Sequence, residues 1–242
     1  MAASREPHAP EPPVPEHQHR DVQGGAPRAA VFGVSDGLVS NVGLILGVAG
    51  AAESSGVVQV AGLAGLVAGA ISMAAGEYNS MRVQRELLER ELDLERRELA
   101  RNPHVETVEL TQVYQSRGLP PDRARELAES VMDDPEVALE THAREELGIN
   151  PNELGSPLAA AVSSFFAFAT GAAVPLVPWF VGGGTAAIVA SLALAVAAAI
   201  GVGVAVAAFT GRSWLWTVVR QVLFTVIPAG ITFAIGSAIG VS

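Results

Sequence analysis

Met73 and Glu77 stand four residues apart at the end of a stretch, residues 54–76, that carries no charged side chain. That separation puts both on one face of a helix, a turn apart. Carboxylate oxygen suits hard divalent ions, whereas thioether sulfur favours softer transition metals over magnesium or calcium. The pair therefore points to Fe(II), with Mn(II) next; the competing reading is a core-filling methionine beside an interfacial acid. Asp36 opens a second candidate run, Asp36-Gly37-Leu38-Val39-Ser40-Asn41-Val42-Gly43. An ionisable group in an apolar helix is costly without a partner or water, so Asp36 reads as a cation ligand or proton acceptor. Ser40 and Asn41 add polar groups one turn deeper, and Asn41 joins Asp36, Met73 and Glu77 as a pathway candidate. Against this stands a plain interfacial Asp capping the helix start.

A third set lies further along. Glu95 and Glu98 are three apart, as are Glu106 and Glu109, so each pair lies on one helix face. Two helices meeting at an Asn102-Pro103 corner bring four carboxylates together, and Glu146 or His142 can close the site from a later helix. Oxygen-rich clusters of this kind bind Fe(II), Mn(II) or similar ions. The alternative is a solvated face of ordinary i,i+4 ion pairs, Glu86 with Arg90 and Asp93 with Arg97.

The elements that must position these residues are written in the charge distribution. Half of the 242 residues are hydrophobic and mean hydropathy is +0.36, but residues 154–211 hold no Asp, Glu, Arg or Lys, whereas residues 79–156 are dense in Glu and Arg. A bilayer needs about 20 apolar residues per helix. The pattern gives spans at 29–52, 57–78, 157–177, 185–209 and 214–240. The expected fold is an all-α integral membrane protein of five transmembrane helices, with a cytoplasmic helical metal-binding insert between the second and third. Its parts are a disordered tail (1–28), helices one and two (29–78), the insert (79–156) and helices three to five (157–242). Helical pattern continues from span two into 79–101 without a break. Start signals stand at Asn102-Pro103, Pro120-Pro121-Asp122, Asp134-Pro135-Glu136 and Ser156-Pro157, and stop signals at Gly118 and Gly148. The tail is rich in Pro and contains His8, His17 and His19 without an apolar stretch; it lacks a secretory signal and the means to build a core.

All 15 basic residues are Arg. A cytoplasmic N-terminus puts Arg5, Arg20, Arg28, Arg212 and every arginine of the insert inside, as positive-inside bias requires; Arg220, early in span five, can snorkel to the same surface. The C-terminus then lies outside. The net charge of −10 argues against nucleic acid as a partner. There is no cysteine, which excludes disulfides and thiolate sites. No Gly-x-x-x-x-Gly-Lys loop supports ATP-driven pumping, and no expected helix offers Glu-x-x-His, which counts against a di-iron oxidase. An enzyme is not expected, nor any cofactor besides the metal itself.

Asp36-Gly37-Leu38-Val39-Ser40-Asn41, Gly69-Ala70-Ile71-Ser72-Met73-Ala74-Ala75-Gly76-Glu77-Tyr78 and the five-span plan with a charged insert resemble the vacuolar iron transporter family, including its bacterial and nodulin-like members. The likeness covers about residues 29–241. It implies a homodimer that exports cytosolic Fe(II), and often Mn(II), in exchange for protons. It also implies a pore between subunits lined by Asp36 and Met73, and a metal-binding domain whose carboxylates fall on Glu95, Glu98, Glu106, Glu109 and Glu146. Two positions depart from the family pattern. Eukaryotic members carry a pore Glu where this chain has Gly65, leaving Glu77 to supply the acid, and their paired Met ligands fall on His142 and Ala143. The membrane is a cell membrane for a bacterial source and a vacuolar one for a eukaryote. The competing function is a membrane-anchored metal buffer or sensor that moves no ion.

Overall fold

The computed structural model describes residues 25–240 apart from 53, 149, 152 and 153. The tail expected to be disordered therefore lies outside the described residues up to position 24, as does Glu53 of the first turn. The first helix, α1 (Gly25–Ala51), starts four residues before the expected span. Then come α2 (Ser55–Arg101), α3 (Pro103–Ser116), α4 (Pro121–Met132), α5 (Pro135–Glu145), α6 (Pro157–Ala173), a 3-10 turn (Val174–Leu176), α7 (Pro178–Val181), α8 (Gly184–Thr210) and α9 (Trp214–Gly240). No strand occurs among the described residues.

Five of these helices, α1, α2, α6, α8 and α9, are long and apolar enough to cross a membrane. At 1.5 Å per residue the 47 residues of α2 extend about 70 Å, over twice a bilayer core of about 30 Å. Its apolar half thus sits in the bundle while its Glu/Arg half stands clear. The span expected at 157–177 runs from Pro157 to Leu176, its α-helix ending at Ala173. Pro175 and Pro178 tighten its last turn into 3-10 and then restart a four-residue helix, because a proline cannot donate to the preceding turn.

α1 is the axis of the bundle, packed against α2, α6, α8 and α9. Leu38, Val42 and Leu46 of α1 bury against Ala195 and Ala199 of α8 and Ala229 of α9. Ala70 of α2 meets Phe168 and Ala172 of α6. Val57, Val60, Leu63, Val67 and Ile71 of α2 are exposed. Such an apolar face suits lipid or another helix, not water.

In the charged segment, α3, α4 and α5 each begin with proline, whose missing N–H costs nothing in a first turn. Asp134 caps α5 by accepting from the Glu136 and Val137 amides at 2.9 and 3.3 Å. Gly118 and Gly148 end their helices at φ of +95° and +65°, a conformation that favours glycine. α5 packs on α2 and α4, and α3 on α2 and α4. On the solvent side Glu86 pairs with Arg82 and Asp93 with Arg96, each at 2.7 Å, rather than with Arg90 and Arg97. Each acid has arginines on either side of it in sequence, and exposed pairs of this sort contribute little to stability.

Candidate metal pathway and binding cluster

Asp36 lies on the face of α1 turned toward α2. Its neighbour Gly37 packs under the Phe168 carbonyl, and Gly171 of α6 packs reciprocally against the Val34 carbonyl. That mutual approach of α1 and α6 fixes the rotation of Asp36. Ser40, one turn on, donates to the Asp36 main-chain oxygen and lies 3.3 Å from its Oδ1. Facing them across α2, Gly65, Gly69, Ser72, Met73, Gly76 and Glu77 line the same recess, of about 380 Å³. Phe168 contributes a wall, and its ring fills the space that a side chain at Gly69 would take.

The structure therefore brings Asp36, Met73 and Glu77 to one recess: two carboxylates and a thioether, the donors for a divalent transition metal. Asp36 is exposed there, and Met73 and Glu77 are half-buried. Asn41 is not on this surface. It is 2% exposed, and its Nδ2 donates to the Ala172 carbonyl at 2.6 Å. Ser72 and Phe168 went unread in the sequence. Ser72 is one residue from Met73 and was within reach of a spacing argument, but Phe168 stands in an unbroken apolar run with no periodic cue.

The second site forms where α2, α3 and α5 meet. His142, fully buried, has its Nδ1 3.2 Å from Glu95 Oε1, 3.2 Å from Glu146 Oε1 and 3.8 Å from Glu106 Oε2. Glu95, His142 and Glu146 each offer one ligand atom within 4.8 Å of the others. His142 on α5 and Glu146 at its C-cap are four residues apart, so one turn brings both to the cluster. Glu98 and Glu109 stay exposed, although their charges act on the buried acids. Neither His142 nitrogen has a hydrogen-bond partner, and Glu95 Oε1 also lacks one. Convergent buried donors without partners of their own suit a cation.

Burial, reinforced by Glu146, Glu106, Glu98 and Glu109, pushes the Glu95 carboxyl up to about 7. Burial also raises Glu106 and Glu146, with Glu109 next in effect for both. Burial lowers His142, against the pull of Glu106 and Glu109. A metal must displace the proton on Glu95, so its affinity should rise as pH passes upward through about 7. Without metal the sign is opposite. The Glu95 contribution to stability is present below the ordinary value of 4.5 and lost as pH rises through about 7. Titration calorimetry of Mn(II) in buffers of differing ionisation heat should show proton release at pH 6.5. Glu95→Gln should reduce that release and weaken binding at least about tenfold.

Arg117, the C-cap of α3, forms an ion pair with Glu145 of α5. It joins the ends of those helices beside the cluster and neutralises an acid adjacent to Glu146.

The sequence was also compared with those of known proteins. A model of the VIT family matches residues 27–237. A vacuolar iron transporter of Acanthamoeba castellanii is 40% identical over 168 residues, which cover 69% of this chain and 60% of that protein. Vacuolar iron transporter 1 of Eucalyptus grandis is 30% identical over 226 residues, 92% of this chain and 91% of its own. Vacuolar iron transporter 2 of Oryza sativa subsp. japonica is 30% identical over 226 residues, 93% and 92% respectively.

Proposed function

Because the chain belongs to the VIT family, we propose that it carries divalent transition metal, Fe(II) and with it Mn(II), out of the cytosol across a membrane in exchange for protons. The observation that carries this reading is the recess shared by Asp36, Met73 and Glu77 within a bundle of five apolar helices. The names of the relatives, all vacuolar iron transporters, support it.

In this reading the N-terminus and the charged segment face the cytoplasm. Glu95, Glu106, His142 and Glu146 gather the ion, with Glu98 and Glu109 adding negative field at the mouth, which raises local cation concentration. The ion then passes Glu77 and Met73 to reach Asp36. A proton and a metal cannot occupy one carboxylate together, so arrival of the ion at Asp36 or Glu77 releases a proton, and its departure admits one. Exchange follows without a separate proton path. Imidazole and carboxylate at the cluster form an all-N/O donor set, which suits Mn(II) and Fe(II) alike; the thioether of Met73 supplies preference for iron. The exposed apolar face of α2 fits a homodimer.

Metal uptake into vesicles containing the purified protein tests the reading. Accumulation inside the vesicles is the expected result. Metal held stoichiometrically by the protein, with none delivered to the lumen, would identify a membrane-anchored buffer instead.

A further inference from the structure

Asn41 is buried between three helices, α1 that carries it, α6 and α2. Its Nδ2 donates to the Ala172 carbonyl of α6 at 2.6 Å. A carbonyl can only accept, so the nitrogen must face α6 and the oxygen must face away. Oδ1 accordingly stands against α2, 2.8 Å from where a Cβ on Gly65 would lie. No donor reaches it. A buried carbonyl oxygen without a partner is an expensive thing to retain. Gly65 itself lines the recess that holds Asp36, Met73 and Glu77. It lies eight residues from Met73 on α2, about two turns or 12 Å further from the charged segment. α2 presents only backbone at 65 and 69: the Phe168 ring lies over Gly69, and Leu44 and the Asn41 oxygen lie over Gly65. A side chain at 65 would meet Leu44 as well as Asn41.

We propose that the Asn41 carboxamide oxygen is a ligand for the transported divalent cation, at the inner end of the recess and reached across Gly65. This rests on the transport reading above. The amide oxygen is hard enough for Fe(II) and Mn(II) but carries no charge and no exchangeable proton. It therefore receives the ion from the carboxylates without taking part in proton exchange and holds it weakly enough to release it onward. The titratable groups of the recess are Asp36 on α1 and Glu77 on α2; α6 has none.

The test is Mn(II) uptake into proteoliposomes of the full-length protein, comparing wild type with Asn41→Ala, Asn41→Asp and Gly65→Ala across about pH 5.5 to 7.5. Asn41→Ala should raise KM at least about tenfold. Gly65→Ala, which removes no polar atom, should raise KM in the same direction by crowding the oxygen. Asn41→Asp places a titrating ligand at that position, so its KM should fall with rising pH more steeply than that of wild type. A merely structural asparagine would not confer that slope. An Asn41→Ala protein that elutes and melts like wild type, with KM within about twofold of it, overturns the inference and leaves the transport reading standing. If Asn41→Ala does not fold, an Asn41→Asp pH profile that superimposes on wild type overturns it equally. Wild-type vesicles that take up no metal overturn the transport reading, and the inference with it.

Discussion

Asp36→Ala should lower metal flux at least about a hundredfold, equivalent to about 2.7 kcal/mol of lost stabilisation of the ion in transit. That is modest beside the interaction of a divalent cation with a carboxylate at the low effective dielectric of a membrane protein interior. The fold should survive, because Asp36 is exposed in the recess and its polar contact there is with Ser40 one turn along its own helix. A surface change of this kind shifts stability by about 0.5 kcal/mol or less. Asp36→Asn, which keeps the shape and removes the charge, should fail equally, and Asp36→Glu should retain partial flux. Uptake assays paired with thermal melts in detergent separate these outcomes. Normal flux through Asp36→Ala would remove the carboxylate from the pathway.

Gly37→Val should prevent assembly of the bundle. A side chain at 37 would overlap the Phe168 carbonyl of α6, and one at 171 would overlap the Val34 carbonyl of α1. Both obstacles are backbone, which cannot rotate away as a side chain can, so the helices must separate. Overpacking ordinarily costs about 1–3 kcal/mol; prying apart two main chains should exceed that range. Gly171→Val should behave the same way, and Gly201→Ala in α8, where nothing lies within 4 Å, should be neutral. The measurement is the yield of monodisperse protein in detergent. Because Asp36 is next to Gly37, a milder Gly37→Ala should depress flux in whatever protein does assemble.

The local rules of helix formation made much of this fold legible. Proline at the starts of α3, α4, α5 and α6 and the cap at Asp134 placed those helices, and the unbroken Glu/Arg periodicity carried α2 to Arg101. The binding cluster was half legible. Spacing put Glu95 with Glu98 and Glu106 with Glu109, but a three-residue pair is symmetric in sequence. Only the packing of α5 decides that Glu95 and Glu106 turn inward while Glu98 and Glu109 face solvent. His142 and Glu146 stood as alternatives in the sequence, and one turn of α5 delivers both.

Illegibility begins where every residue is apolar. Within residues 154–211 nothing distinguishes Phe168, which walls the recess, from Phe166, which is exposed. Periodicity needs contrast between faces, and a helix with lipid on one side and protein on the other offers little. Asn41 shows the same limit in a polar residue. Its position beside Ser40 suggested the recess surface, but one residue is about 100° of helix rotation, enough to turn it into the contact with α6 and Gly65.

The most direct measurement is Fe(II) and Mn(II) uptake into proteoliposomes that enclose a pH-sensitive dye, with and without an imposed proton gradient. The account predicts metal entry accelerated by an acidic lumen, luminal alkalinisation in step with that entry, and loss of both signals in Asp36→Ala. Metal entry that leaves luminal pH unchanged and ignores the gradient would contradict proton exchange at these carboxylates, and binding without entry would contradict transport itself.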